Sequence, residues 1–186
     1  MKKLLSGIVA LLAVLLSMSL ILTGCDTGTT SDDEINVPAI TVTSTSINSN
    51  GRLLTTTAYA GGSNKSPQLS WDDVAGAACY AIFMVDESAG YWLHWRATNV
   101  TKTSLTQGES ISGAEYIGPY PPPANDHNYR IEIFALKQAP VTDIGIFNKE
   151  NYYKSMVNQL NAVGGGNNIV GRGHIIGKYK NGDNNL

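Results

Sequence analysis

Only three histidines occur in the chain: His94, His127 and His174. Imidazole is the side chain whose charge and donor pattern change near neutral pH, with an ordinary pKa of about 6.5. Asp86 closes the apolar run from Tyr80 to Val85, where a carboxylate marks the rim of a buried strand. Tyr129 stands two positions after His127, on the same face of an extended chain. A phosphate or carboxylate ligand needs convergent donors, and imidazoles, a phenol and backbone N–H groups supply them. A carboxylate repels an anion, so Asp86 is expected to orient an imidazole and raise its pKa above the ordinary value.

Two further readings stand beside anion binding. Asp86, His94 and His127 form a 2-His-1-carboxylate set of the kind that holds a metal. No pair of histidines, however, has the H-x-H or H-x-x-x-H spacing of ligands on one element. The same groups also serve to satisfy the polar end of a sheet with no ligand at all. Hydrolysis lacks its parts, because Ser66 and Ser70 have no nucleophile-elbow context and no carboxylate pair has an assigned acid and base. The expectation is a binding module and not an enzyme, with no cofactor and no resident metal.

The stretch from Gly118 to Leu136 positions the second of these histidines. Gly118 to Pro123 (G-P-Y-P-P-P) is a rigid, donor-poor turn, because proline fixes φ and lacks an N–H. From Asn128 the residues alternate, with Tyr129, Ile131, Ile133 and Ala135 on one face and Asn128, Arg130, Glu132 and Phe134 on the other. That period of two predicts a half-buried strand. Tyr80 to Val85 is apolar throughout, as expected for a central strand covered on both faces. Further strands are predicted over Ile40–Thr45, Arg52–Ala60, Trp92–Val100 and Gly173–Lys180, separated by Gly-, Asp- and Pro-rich turns. From Asn148 to Val163 the apolar residues Tyr153, Met156, Val157, Leu160 and Val163 fall on one helical face, and Gly164-Gly165-Gly166 ends it. Many strands and one or two late helices predict a mainly β sandwich with helix packed at its margin.

The first 24 residues read as a leader. Lys2 and Lys3 precede a long apolar run, Leu4 to Leu22, that ends in Leu22-Thr23-Gly24-Cys25. A small residue before a lone cysteine, then a polar tract, predicts a lipoprotein signal over 1–24 with lipidation at Cys25, in preference to a retained membrane anchor. Residues 25–37 are small, polar and acidic and read as a flexible tether. The remainder, 38–186, is long enough for one ordinary domain. Loss of the two leader lysines leaves 11 basic against 15 acidic residues, a net charge of −4. With no basic stripe, nucleic acid is not an expected partner. Cys79 then remains as the single thiol, heading an apolar run as a buried small hydrophobe.

These segments follow one another in a recognisable order. Ser66-Pro67-Gln68-Leu69-Ser70-Trp71, the strand ending in Asp86, Trp92-Leu93-His94-Trp95 with Asn99, Gln107-Gly108, Tyr116-Ile117-Gly118-Pro119 with Pro121-Pro122, and His127-Asn128-Tyr129 together resemble the phosphatidylethanolamine-binding protein family, in its bacterial Raf-kinase-inhibitor-like branch. The resemblance covers about residues 38 to 180. It implies an antiparallel Greek-key β-sandwich with peripheral helices and a small anion pocket at one end. Within it, Asp86 matches the first Asp of a D-P-D-x-P motif and His94 the His of W-x-H. Gly118 and Pro119 match a G-P-x-P-P turn, and His127 and Tyr129 match the ends of H-R-Y. The chain departs where Asp86-Glu87-Ser88-Ala89-Gly90 lacks both prolines and the second Asp, and where Asn128 replaces the central Arg. The short connection from Gln107 to Gly118 implies a more open pocket rim. The implied ligand is a small anion or phospho head group. The leader implies a second partner, the bacterial membrane, reached through a lipid anchor with the domain facing the periplasm or cell exterior. Kinase regulation among eukaryotic relatives does not transfer to an exported chain.

Overall fold

The computed structural model describes residues 35–184. The leader, Cys25 and most of the tether lie outside that range. Eight strands and one α-helix follow in order: β1 Val42–Thr43, β2 Leu69–Trp71, β3 Cys79–Asp86, β4 Trp92–Val100, β5 Ser104–Leu105, β6 Glu115–Tyr116, β7 Asp126–Leu136, α1 Tyr153–Ala162 and β8 Ile169–Lys180. They form a small sheet in the order β1-β2-β5 and a five-stranded sheet in the order β6-β4-β3-β7-β8, every pairing antiparallel. The fold is mainly β, two antiparallel sheets with one short helix.

The strand predicted to be central is central. β3 lies between β4 and β7, and all its residues are buried. Its alternation sends Tyr80, Ile82 and Met84 into the core between the sheets, with Leu69, Trp71 and Leu105 from the small sheet. Ala81, Phe83 and Val85 point to the opposite face, where Met156, Val157 and Leu160 of α1 cover them. Ile35 and Val37, read from sequence as the end of the tether, pack against this second core.

Three expectations need correction. β7 is not half-buried, because α1 covers the face bearing Glu132 and Phe134, and both residues are no more than 1% exposed. Arg52–Ala60 is not a strand. Among the described residues its β-bridges are isolated ones at Arg52 and Leu53, and Thr55–Thr57 forms a 3₁₀ turn. There the Thr57 hydroxyl donates to the Leu54 carbonyl at 2.8 Å, a local bond of the kind that competes with a sheet ladder. The helix begins at Tyr153 and not at Asn148. Asn148 has a positive φ of 55°, and the Asn151 side chain closes a loop by accepting from Ile146 N and donating to the Ile146 and Lys149 carbonyls. Smaller adjustments shorten Ile40–Thr45 to β1 and extend Gly173–Lys180 back to Ile169.

Candidate functional site

The C-terminal end of β3 meets the N-terminal end of β7 and the start of β4, because antiparallel pairing sets Asp86 opposite both Tyr129 and Trp92. A pocket of about 340 Å³ opens at this sheet end. Asp86, His94, Gly118, His127 and Tyr129 all line it, together with Tyr59, Ala89, Trp92, Ile117, Tyr120, Pro121, Pro122 and Asn148. Pro119 is buried directly behind the wall, where its carbonyl accepts from Tyr59 N at 3.1 Å.

Each polar group in the pocket has a defined role. His127 Nδ1 lies 2.7 Å from Asp86 Oδ2; a carboxylate only accepts, so Nδ1 carries the proton and Nε2 is left for the cavity. Asp86 Oδ1 accepts from Ser88 N at 2.9 Å, which engages both oxygens of a carboxylate only 3% exposed. His94 exchanges two bonds with Ile117. Its Nδ1 donates to the Ile117 carbonyl at 2.9 Å, and its own carbonyl accepts from Ile117 N at 2.8 Å. Burial, the dominant influence, pushes the His94 pKa below the ordinary histidine value despite support from that carbonyl and from Asp86. The expected rise is therefore not what His94 shows. The Tyr129 ring stands edge-on to His94, with centroids 5.3 Å apart, and stacks at 6.5 Å on His127. Its hydroxyl is fully buried beside the Asp86 carboxylate, without a hydrogen bond of ordinary geometry. Burial and then the Asp86 charge raise its pKa, so it stays a neutral donor.

The Gly118 turn serves as wall and not as donor. Gly118 N already donates to Asn64 Oδ1 at 2.8 Å. A Cβ at Gly118 would stand 2.0 Å from the Thr57 carbonyl oxygen and 2.6 Å from Tyr59 N, so only glycine lets the two segments meet. The Tyr116 hydroxyl fixes the same junction by donating to the Thr57 carbonyl at 2.7 Å. This is how the 3₁₀ segment brings Tyr59 to the pocket. Sequence reasoning missed Tyr59, Tyr120 and Asn148. Tyr59 and Tyr120 form an edge-to-face pair at 6.3 Å, both more than half exposed, and Asn148 Oδ1 accepts from Trp92 Nε1 at 3.1 Å. Paired loop aromatics carry no local sequence signal, since their meeting depends on Gly118. His174 lies elsewhere, exposed on β8 opposite Glu132.

A metal would need three ligands facing one point. Among the described residues no three His, Cys, Asp or Glu side chains are so arranged. Asp86 and His127 bond directly to each other. The set therefore fits an anchored imidazole better than a 2-His-1-carboxylate centre.

Comparison with known proteins places this architecture. The chain is 31% identical over 93 residues to a Mycobacterium tuberculosis protein named "Putative lipoprotein LppC", a match covering 42% of this chain and 46% of that protein. The chain thus spans about half the length of that curated relative. It is 28% identical over 141 residues to a UPF0098 protein of Methanothermobacter thermautotrophicus, covering 65% of this chain and 86% of the relative. Among solved structures, YbcL of E. coli, described as a member of the mammalian PEBP family, superposes with a TM-score of 0.60 at 24% identity, over 76% of this chain and 98% of that one. A phosphatidylethanolamine-binding protein homologue from Chlamydia trachomatis gives 0.58 at 19% identity, over 76% and 97%. These likenesses establish the fold. The model of the family described as phosphatidylethanolamine-binding protein matches residues 43–180, nearly the whole described domain, and on that match the chain belongs to the phosphatidylethanolamine-binding protein family.

Proposed function

We propose that the domain binds a small anionic, phosphate-type group in this pocket. The reading is carried by two imidazoles that line one pocket with Nδ1 already committed, His94 to the Ile117 carbonyl and His127 to Asp86. Each ring offers an anionic oxygen a donor at Nε2 only when it is protonated, and the buried Tyr129 hydroxyl beside Asp86 belongs to the same pocket. The aromatic and proline walls leave few polar groups, and those few fix orientation, as in small-ligand sites. Among the described residues lining the pocket there is no Ser, Thr or Cys, which favours binding over covalent catalysis.

The pH dependence has a definite sign. His94 resists protonation through burial, and a bound anion favours its imidazolium. Affinity is therefore expected to rise as pH falls through the range in which the bound imidazolium forms, and to be weaker at pH 8 than at pH 5.5. Calorimetric titration of phosphate, with sulfate as an anion of constant charge, checks this at pH 5.5 and pH 8. His127→Ala is expected to lose about 1.5–3 kcal/mol of affinity, the scale of a charge-assisted hydrogen bond. His174→Ala is expected to bind as wild type does. Sulfate affinity independent of pH, or a His127→Ala protein binding like wild type, refutes the assignment.

We further propose that the domain is held at a bacterial membrane through lipid on Cys25, facing the periplasm or exterior. The Leu22-Thr23-Gly24-Cys25 sequence and the name of the mycobacterial relative support this. Among the described residues, no helix is long and apolar enough to cross a membrane. Cys25→Ser is expected to accumulate as a longer, unprocessed precursor. Mass spectrometry finding unmodified Cys25 in membrane-extracted wild type would remove the anchor.

A further inference from the structure

The turn after β3 departs from the family pattern, and the structure shows what holds it. Three consecutive residues reach across to β7. Asp86 Oδ2 accepts from His127 Nδ1 at 2.7 Å, Glu87 Oε1 accepts from Arg130 Nε at 2.6 Å, and Ser88 Oγ accepts from Asn128 N at 3.0 Å. Ser88 N also donates to Asp86 Oδ1 at 2.9 Å. Asp86, Ser88, Asn128 and His127 thereby close a ring, with Ser88 bonded to Asp86 and to Asn128, the chain neighbour of His127. Asp86 caps the 3₁₀ turn Glu87–Ala89, and Gly90 leaves it in the left-handed region at φ 61°, where glycine costs nothing.

We infer that Ser88 and the Glu87–Arg130 ion pair are positioning residues that fix the rotamer of Asp86, and through it the orientation of His127. This rests on the anion-binding reading of the pocket. A turn without proline keeps more backbone freedom, and each freed rotation loosens a bond that must be held within a few tenths of an ångström. If the turn shifts, Oδ1 loses the Ser88 donor and the carboxylate can rotate away from Nδ1. A loosened imidazole then aims Nε2 less well, and part of the binding free energy is spent on ordering it. Glu87 and Arg130 side chains are only about one-fifth exposed, at 21% and 22%, so their pairing is better shielded than that of a solvated surface pair. Neither residue lines the pocket, so both act through Asp86.

The test uses full-length protein with labelled histidines and reads three quantities. These are the exchange of the His127 Nδ1–H proton with water by NMR, the affinity for inorganic phosphate, and the urea unfolding midpoint. In Glu87→Ala/Ser88→Ala the imidazole proton is expected to exchange about tenfold faster and phosphate to bind about tenfold more weakly, a loss the size of one good hydrogen bond. Ser88→Thr, which keeps the hydroxyl, is expected to stay near wild type. A drop in the unfolding midpoint with an unchanged imidazole proton shows a merely structural turn and overturns the inference. An unchanged imidazole proton overturns it whatever the affinity does. If the proton responds but wild type binds neither phosphate nor sulfate, the positioning stands and the anion reading falls.

Discussion

Phe83→Ala is expected to cost about 3–5 kcal/mol of unfolding free energy, the range for removing a buried ring and leaving a cavity. Phe83 is 1% exposed at the centre of β3 and meets Phe134 edge-to-face at 5.8 Å. It lies in the layer under α1, with Met156, Val157 and Leu160 above it. Collapse of those side chains into the space is limited, because the sheet below is held by ladders to β4 and β7 on both sides. Ile82→Ala probes the opposite face, between the sheets, and is expected to cost about 2–5 kcal/mol. Urea unfolding should show the midpoint falling with the slope unchanged, since the surface exposed on unfolding barely alters. Losses below about 1 kcal/mol at both positions would mean that β3 is not the strand on which both layers rest.

The same residues show why some of the fold was legible and some was not. β3 and β4 could be read because a continuous apolar run and a nine-residue segment of mixed aromatics carry their own signal. β2, β5 and β6 are two or three residues long, too short for any period to register. Arg52–Ala60 misled because β-branched threonines favour strands, yet Thr57 spends its hydroxyl on the turn and the segment backs the pocket. Of the site, Asp86, His94, His127 and Tyr129 sit at predictable strand ends, and their order in the chain carried the family resemblance. The Asp86–His127 pairing, by contrast, comes from register across β3 and β7, which sequence spacing does not reveal. The depressed His94 pKa was missed for a related reason. Asp86 had been credited to an imidazole without knowing how deeply the other would be buried.

Glu132 was placed by its alternation on a polar face, and the structure buries it, so its replacement is expected to rank with Phe83 in effect. Its side chain is 1% exposed beneath α1. Oε1 accepts from Arg172 Nε at 3.0 Å, Oε2 accepts from the Tyr153 hydroxyl, and Arg172 also donates to that hydroxyl at 2.9 Å. These bonds tie the first residue of α1 to the edge strand β8 and its neighbour β7, while Tyr91 stacks on Tyr153 at 5.0 Å. Burial and then the Glu132 charge raise the Tyr153 pKa, so the phenol remains a neutral donor to the carboxylate. Removing one member of such a set leaves charge and donors in a medium that solvates them poorly. Glu132→Ala is therefore expected to cost about 3–5 kcal/mol. Glu132→Gln, which keeps an acceptor but loses the charge, is expected to cost about 1.5–3 kcal/mol. Breaking the set is a different measurement from its net worth, since two desolvated ions offset much of their own attraction. The triple variant Glu132→Leu/Tyr153→Phe/Arg172→Met replaces all three with apolar groups of similar volume and is expected to unfold near the wild-type midpoint. Urea melts of the single and triple variants decide the matter. A triple variant as unstable as Glu132→Ala would show that the charges themselves hold α1 to the sheet, and not the shape they fill.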